Sequence, residues 1–403
     1  MGIFSNFFSR FSFERLRNGD VWYWKDGERS NQINGSYLDW SLRHPVLMPV
    51  IALRSKNVAN MQIQHLDKNG EPIANSPILK LLKKPNYFQT QQDFIFQSVF
   101  FMSSEGANYI YTPTTNPLLF LPSQIYNLKP DDIDFNNVDK VKKLFKTDQE
   151  FKEFGRQKIK YHLDGKTIDI EVSNLIPIYD LSNGLKENSM IRGVSRIKSI
   201  ERPLLNIEEL LLSKNTNAKM SQKFLAKSGN TYNGVATPLG EEDKKAVKRI
   251  IAKDTLHVTN QNVDVTHLVN NLKNLALDPQ ISSDAQIALL TFGLNNDVLN
   301  FFAGGSSTYE NQERGEIRFY QNEIQNIGQT FCDSISQHFG LFDKGEKLTA
   351  NYDHLPIMQK VMVDKVDAFK KHQESIKIAL ENQTITSVEA MQMTESFIKS
   401  IGL

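Results

Sequence analysis

The chain has 403 residues, of which 40% are hydrophobic, and its formal net charge is +1. This length allows two or three domains with ordinary hydrophobic cores. The near-neutral charge excludes an overall field that draws the protein onto nucleic acid or an acidic membrane, so any DNA contact must be local or non-specific. One cysteine, Cys332, excludes an internal disulfide and any multi-cysteine metal site.

Residues 1–36 form an N-terminal arm rich in phenylalanine. Charged residues such as Arg10 and Glu14 interrupt its apolar run, so we reject a secretory signal peptide. Asn6 stands where a myristoylation signal needs Ser or Thr. An interfacial amphipathic helix, a partner-docking arm and a disordered arm stay open as interpretations. Nowhere does an apolar run approach the roughly 20 residues that span a bilayer, so we expect no membrane partner.

Residues 37–192 have the pattern of a mixed region of short helices and strands. Apolar spacing predicts helices after Pro49, from Ser76 and over residues 89–102. Strands are predicted over residues 61–65 and 106–111. This alternation favours an α/β region.

The charged stretch over residues 130–155 has little apolar periodicity, and we interpret it as an insertion or an exposed excursion. Residues 161–170 then predict a hairpin that turns at Asp164-Gly165. The triplet that begins at Gly165 resembles the end of a phosphate-binding loop, but Lys160 occupies the position of the required glycine, so the motif fails.

After Gly193 an apolar rhythm that includes Ile197, Leu204 and Leu211 predicts a long helix. Pro203 should either kink this helix or mark its first turn. Four lysines follow among polar residues: Lys214, Lys219, Lys223 and Lys227. Two interpretations stay open, a solvated helix face and a basic strip that contacts phosphates without reading bases.

A small module of strands and one short helix is predicted over residues 228–280. The stretch from Ile281 to Gly340 then predicts two long helices separated by a flexible glycine-serine segment. The first helix should carry a continuous apolar stripe, and Gly340 should end the second in the left-handed conformation. The stripe consists of Ile287, Leu290, Leu294, Val298 and Phe301.

In the C-terminal residues 346–403, the sequence pattern predicts a strand over residues 347–352 and a helix over residues 358–380. Ser387 can cap a last helix.

No sequence motif for a metal, a nucleophile or a dinucleotide occurs, so we predict no enzyme and no cofactor. The nearest carboxylate cluster is Asp131, Asp132 and Asp134, in a polar turn where solvated loop residues are the simpler interpretation. A metal-dependent nuclease that uses these carboxylates is one alternative hypothesis. A membrane-surface scaffold that uses the phenylalanine-rich arm is another.

The order of several short motifs resembles that of the phage portal protein family, the ring-forming head-to-tail connectors of tailed bacteriophages. Each motif alone is weak, and the resemblance rests on their order and spacing over roughly residues 37–340. The matching stretches are Leu81-Leu82-Lys83-Lys84-Pro85-Asn86, Phe94, Gly106-Ala107-Asn108-Tyr109, Leu119-Phe120-Leu121-Pro122, Arg192-Gly193-Val194-Ser195, Asp284-Ala285-Gln286 and Tyr309-Glu310-Asn311-Gln312-Glu313.

The resemblance implies an α+β subunit with an α/β wing, a helical stem, a small α/β clip and a helical C-terminal crown. Its expected divisions are an arm (1–36), the first part of the wing (37–192), a stem helix (193–227), the clip (228–280), a second stem helix (281–303), a channel loop (304–308), a long wing helix (309–345) and a C-terminal wing and crown region (346–403). It also implies a ring of about twelve copies in the virion, at the portal vertex of the capsid, assembled in the host cytoplasm.

The implied partners are double-stranded DNA, bound without sequence specificity, the terminase large subunit, the major capsid protein and a head-tail adaptor. The expected channel loop comprises Ala303, Gly304, Gly305, Ser306, Ser307 and Thr308. The four lysines named above are candidate contacts to DNA phosphates.

Overall fold

The computed structural model describes residues 36–113, 121–136, 138, 147–181, 192–220, 277–294, 309–382 and 384–401, and short strands within residues 11–26, 224–236 and 263–267. In this part of the chain, no helix is both long and apolar enough to cross a membrane.

Helices supply most of the regular structure in the described residues. In chain order they are α1 (Tyr37–Arg43), α2 (Leu47–Ala59), α3 (Pro77–Lys83), α4 (Gln91–Glu105), α5 (Asp148–Gly155), α6 (Glu201–Met220), α7 (Leu277–Thr291), α8 (Tyr309–Phe319), α9 (Gln325–His338), α10 (Pro356–Glu381) and α11 (Ser387–Ile401). A 3-10 turn, Arg196–Ser199, precedes α6, and a π-helical segment, Tyr320–Ile324, joins α8 to α9.

The strands form small antiparallel sheets. They are β1 (Phe11–Arg15), β2 (Trp22–Asp26), β3 (Gln62–Leu66), β4 (Ala107–Tyr111), β5 (Tyr126–Leu128), β6 (Ile133–Asp134), β7 (Lys158–Leu163), β8 (Lys166–Glu171), β9 (Leu175–Tyr179), β10 (Phe224–Ser228), β11 (Thr231–Tyr232), β12 (Val235–Ala236), β13 (Val263–His267) and β14 (Lys347–Asn351). Three-stranded sheets have the orders β5-β4-β9 and β6-β7-β8, and β3 pairs with β14 across most of the chain length.

Polar side chains cap three of the first four helices in the described part of the chain. Ser36, Ser76 and Thr90 each accept a hydrogen bond from the backbone N–H three residues later, at 3.1 to 3.3 Å. Such caps satisfy amide groups that have no partner within the helix. The predicted helix start at Ser76 is therefore confirmed.

The N-terminus of α1 receives a second stabilising contact from the end of α4. The Glu105 carboxylate accepts a hydrogen bond from the Leu38 backbone N–H at 2.6 Å. Burial raises the pKa of Glu105 to about 7; the Leu38 bond opposes this shift, and the carboxylates of Asp131 and Asp39 add to it. Glu105 is thus an acid whose folded-state pKa lies well above its ordinary value of 4.5.

Two hydrophobic cores organise the described residues. The larger core joins α1 to α4 with α6, α7 and the long helix made of α8, the π-helical segment and α9. The smaller core lies between the β5-β4-β9 and β6-β7-β8 sheets. Ile133, Phe135 and Val138 are buried in this smaller core. Of the two interpretations of residues 130–155, the exposed excursion is therefore wrong for the first part of the stretch, because three apolar residues without helical spacing still close a core.

Several turn and strand predictions are confirmed. Asp164 and Gly165, with φ of 47° and 77°, turn the β7-β8 hairpin. Gly340 has a φ of 62° and follows Phe339, the C-cap of α9. β14 occupies the predicted strand, and Pro203 lies in the first turn of α6.

Helix boundaries account for the clearest errors. The helix predicted after Pro49 begins at Leu47, and the last helix is capped by Thr386, which accepts from the Glu389 backbone N–H, rather than by Ser387. The helix expected to continue to residue 227 ends at Met220, and residues 224–228 form β10. The helix expected to reach Phe301 ends at Thr291.

Candidate functional site

The predicted channel loop, residues 303–308, lies outside the described residues, as does Lys223. The other candidate phosphate contacts lie on two different elements. Lys214 and Lys219 belong to α6, and Lys227 belongs to β10, where it is paired with Asp264 of β13. Lys214 and Lys219 are five residues apart, a spacing that corresponds to about 140° around a regular α-helix. The three described lysines therefore do not lie on a single helix face.

The carboxylates of the alternative nuclease site have partners from the protein itself. Asp131 accepts a hydrogen bond from the Ser36 hydroxyl at 2.6 Å, and Lys129 lies 3.6 Å from Asp131. Asp134 accepts from the Asn136 backbone N–H at 2.8 Å. Nowhere in the described residues do three His, Cys, Asp or Glu side chains come together as a metal site.

Helices α6 and α7 form a pair that extends from the larger core. Leu204 and Ile207 of α6 are buried, whereas every described residue from 211 to 215 is exposed. In α7 the buried side chains are Ala288 and Leu289, while two members of the predicted apolar stripe face outward. The exposed fractions are 42% for Ile287 and 56% for Leu290. Ile287 and Leu290 thus lie on the outward face of α7, whereas Leu294 is buried in the larger core and the last two members of the predicted stripe, Val298 and Phe301, lie outside the described residues.

The end of α7 has the geometry of a Schellman motif. The Leu294 N–H donates to the Leu289 carbonyl at 3.0 Å, and the Gly293 N–H donates to the Leu290 carbonyl at 3.1 Å. Gly293 has a φ of 79°, which an L side chain rarely adopts. This motif stops the helix even though apolar residues continue beyond it in the sequence.

A cluster of four charged side chains lies against this helix end, with Arg54 and Asp180 buried and Glu323 and Arg196 partly buried. Arg54 of α2 is fully buried, and its guanidinium donates to Asp180 at 2.9 Å, to Glu323 and to the Ser103 hydroxyl at 2.7 Å. Burial alone would lower the pKa of Arg54, but the carboxylates of Asp180 and Glu323 raise it above its ordinary value. Arg54 is therefore held in its charged form inside the protein.

Arg196 completes the charge cluster and reaches the backbone of α7. Its Nη2 donates to Asp180 at 2.8 Å, and its Nη1 lies 3.0 Å from Glu323. The same Nη1 donates to the Thr291 carbonyl at 3.0 Å. The cluster contains two positive and two negative side chains, so its net charge is zero. Paired in this way, charged groups can be held away from water.

Sequence reasoning missed this cluster, although a signal was present. In α2 the buried positions include Val50, Ile51 and Val58, and Arg54 falls on the same face. In the long helix Glu323 stands three residues after the buried Tyr320. A charge on an apolar helical stripe indicates a buried ion pair or a functional site. The sequence gives no indication of which partners complete the pair.

Similar structures come from the necks of gene transfer agent particles and from a phage portal protein. A chain from the virion of a native gene transfer agent is 13% identical, with a TM-score of 0.58, over 89% of this chain and 94% of that chain. A chain from the neck of a native particle, computed with C12 symmetry, is 12% identical, with a TM-score of 0.58, over 89% and 92%. An HK97-family phage portal protein from Corynebacterium diphtheriae is 11% identical, with a TM-score of 0.51, over 80% and 100%.

At these identities the structural matches establish the fold alone. No curated protein sequence matches the chain significantly. The sequence profile described as "Phage portal protein" matches residues 45–390, which is most of the chain and includes α2, α7 and the charge cluster. The chain therefore belongs to the phage portal protein family.

Proposed function

We propose that the chain assembles into a ring of about twelve copies at one vertex of a phage capsid, around a channel that conducts double-stranded DNA during packaging and ejection. The ring also serves as a docking platform for the terminase large subunit and for a head-tail adaptor, and it contacts the major capsid protein. The family match over residues 45–390 is the observation that carries this proposal.

The α6-α7 pair supports a role as the stem of such a ring. Its outer surface carries Leu211, Leu212, Ile287 and Leu290, with exposed fractions from 37% to 56%. Exposed aliphatic side chains on two packed helices favour burial against another protein surface. In a closed ring each copy presents one surface to its neighbour and a different surface to the copy on its other side.

The channel assignment rests on sequence properties. Glycine and serine in residues 304–307 give a backbone that can adapt to DNA moving past it. The near-neutral net charge suits a channel in which DNA must slide, since extensive neutralisation of phosphates would hold the DNA in place. The residues from Ala303 to Thr308, with Lys214, Lys219, Lys223 and Lys227, remain our candidates for contact with the DNA backbone.

Lysine substitution of one exposed isoleucine in the stem tests the assembly. Ile287→Lys places a charge on the outer face of α7, and we expect it to reduce ring formation at least tenfold in native mass spectrometry, because a desolvated unpaired charge opposes the interface. Ile168→Lys is the matched control, since Ile168 on β8 is 41% exposed and Ile287 is 42% exposed. Equal ring formation by both variants would contradict the assignment of this face to the ring interface.

A further inference from the structure

The C-terminal end of α7 is held by side chains that come from three distant parts of the chain. Arg196, just before α6, donates to the Thr291 carbonyl at 3.0 Å. The guanidinium of Arg54 from α2 lies 5.7 Å from the centre of the Phe292 ring. Glu323 from the π-helical segment packs against Gly293, where an added Cβ would lie 3.2 Å from its Cγ. Three consecutive residues at the helix end thus each contact a different member of the charge cluster.

The contact to Thr291 satisfies a group that the helix itself leaves open. The last carbonyls of an α-helix lack partners within the helix and carry its negative partial charge. A guanidinium that donates to such a carbonyl is therefore favourable in both hydrogen bonding and electrostatics. Arg196 is the member of the cluster that makes this backbone contact, whereas Arg54 contacts side chains.

The geometry of the guanidinium explains why arginine occupies this position. Its planar fork donates in several fixed directions at once, which a lysine ammonium on a flexible stem does not reproduce. Arg196 uses this fork to join Asp180 after β9, Glu323 in the π-helical segment and the backbone of α7. π-helical segments inside α-helices are uncommon and frequently occur at functional sites.

We propose that Arg196 is a positioning residue of the portal, which fixes the end of α7 against the π-helical segment so that the chain leaves this helix in the same direction in every subunit. This inference rests on the proposed function, because the chain that leaves α7 leads into the predicted channel loop. The contact requires the arginine fork and not merely a positive charge.

The test compares four full-length proteins: wild type, Arg196→Gln, Arg196→Lys and the control Lys198→Gln. Lys198 is exposed in the same 3-10 turn. Hydrogen-deuterium exchange is measured in assembled rings for peptides within residues 285–294 and, as an internal reference, within residues 325–338. Thermal midpoint and ring formation are measured alongside, and DNA content is measured in particles that carry each variant.

We expect both Arg196 variants to raise exchange within residues 285–294 about tenfold, since one helix-end hydrogen bond is lost, while exchange in the reference peptides stays unchanged. Particles with either variant should contain less DNA, and Lys198→Gln should match wild type. If Arg196→Gln weakens the whole fold, Arg196→Lys still decides the matter, because it keeps the charge balance of the cluster.

Wild-type exchange within residues 285–294 in Arg196→Lys would overturn the inference, as would undiminished DNA content in both Arg196 variants. Failure of the wild-type chain to form rings would contradict the proposed function instead. The exchange measurement on the unassembled proteins would then still decide whether Arg196 holds the helix end.

Discussion

Arg54 is the most deeply buried residue of the charge cluster, so its positive charge depends entirely on neighbouring carboxylates for compensation. Its charge is stabilised by Asp180 and Glu323, and removal of one partner from a buried ion pair leaves an uncompensated charge. Arg54→Met keeps most of the side-chain volume and removes the charge. We expect it to lower the free energy of unfolding by about 3–5 kcal/mol.

Urea denaturation of the unassembled chain measures this loss, with Arg202→Met as the control. Arg202 is exposed in the first turn of α6, so its replacement should change the free energy of unfolding by less than about 0.5 kcal/mol. Similar small changes for both variants would mean that Arg196 alone neutralises the two carboxylates.

Glu105 links the stability of the fold to pH. Its folded-state pKa is about 7, against an ordinary value of 4.5, so between these values the folded protein binds more protons than the unfolded chain. The contribution of Glu105 to stability should therefore fall as pH rises from about 4.5 to about 7 and stay level above that range. Glu105→Gln removes this titration and retains an acceptor for the Leu38 N–H.

We expect Glu105→Gln to raise the free energy of unfolding by on the order of 1 kcal/mol at pH 8 and to change it little at pH 4. Thermal midpoints measured across this pH range provide the check. A variant that stays parallel to wild type at every pH would show that Glu105 titrates in the ordinary range.

At the scale of elements, α4 meets the segment before α6 at two glycines. Gly106 has a φ of 83°, and a Cβ added there would lie 2.2 Å from the Val194 carbonyl carbon. A Cβ added at Gly193 would lie 2.1 Å from the Gly106 carbonyl oxygen. These contacts are with backbone atoms, so no flexible side chain can move aside. Both glycines lie in stretches that resemble family motifs. The close approach of the two backbones explains why glycine occupies these positions.

Gly106→Ala and Gly70→Ala separate backbone strain from packing, because Gly70 has a φ of 84° and no atom within 4 Å of its added Cβ. We expect Gly70→Ala to lower the free energy of unfolding by about 1–2 kcal/mol, through backbone strain alone. Gly106→Ala should lower the free energy of unfolding by about 1–3 kcal/mol more than Gly70→Ala does, because its added methyl group also clashes with the neighbouring backbone. Chemical denaturation of the two variants measures the difference, and equal losses would show that the backbones move apart readily.

The sequence predicted those elements whose local chemistry agrees with their tertiary setting. The cap at Ser76, the hairpin turn at Asp164-Gly165 and the helix end at Gly340 are local devices, and all three are confirmed. The end of α7 at Thr291 was missed, because one glycine inside an apolar stripe is compatible with a continuing helix. The Schellman motif at Gly293 and the charge cluster beside it determine this end, and the cluster depends on residues far apart in the chain.

For the same reason the candidate site was predicted only in part. Periodicity identified Ile287 and Leu290 as members of one face, but it could not tell whether that face meets its own core or another protein. Arg54 and Glu323 appear in the sequence as isolated charges on apolar stripes. Their partners Asp180 and Arg196 become evident only when β9 and the 3-10 turn are brought together in the fold.

At the scale of the whole molecule, two helix pairs among the described residues expose large apolar side chains. One is the α6-α7 pair, and the other is the hairpin of α10 and α11, where Val388 and Met391 are 66% and 70% exposed. We propose that neighbouring copies cover both regions, the first as stem and the second as crown. Membership of the phage portal protein family confirms the prediction of a structural, non-enzymatic protein.

Electron microscopy of the purified full-length chain tests the ring most directly, through class averages viewed down the particle axis. We predict closed rings of about twelve copies around an open central channel, as the proposed function requires. Monomers or small open oligomers alone, at high protein concentration, would contradict the account.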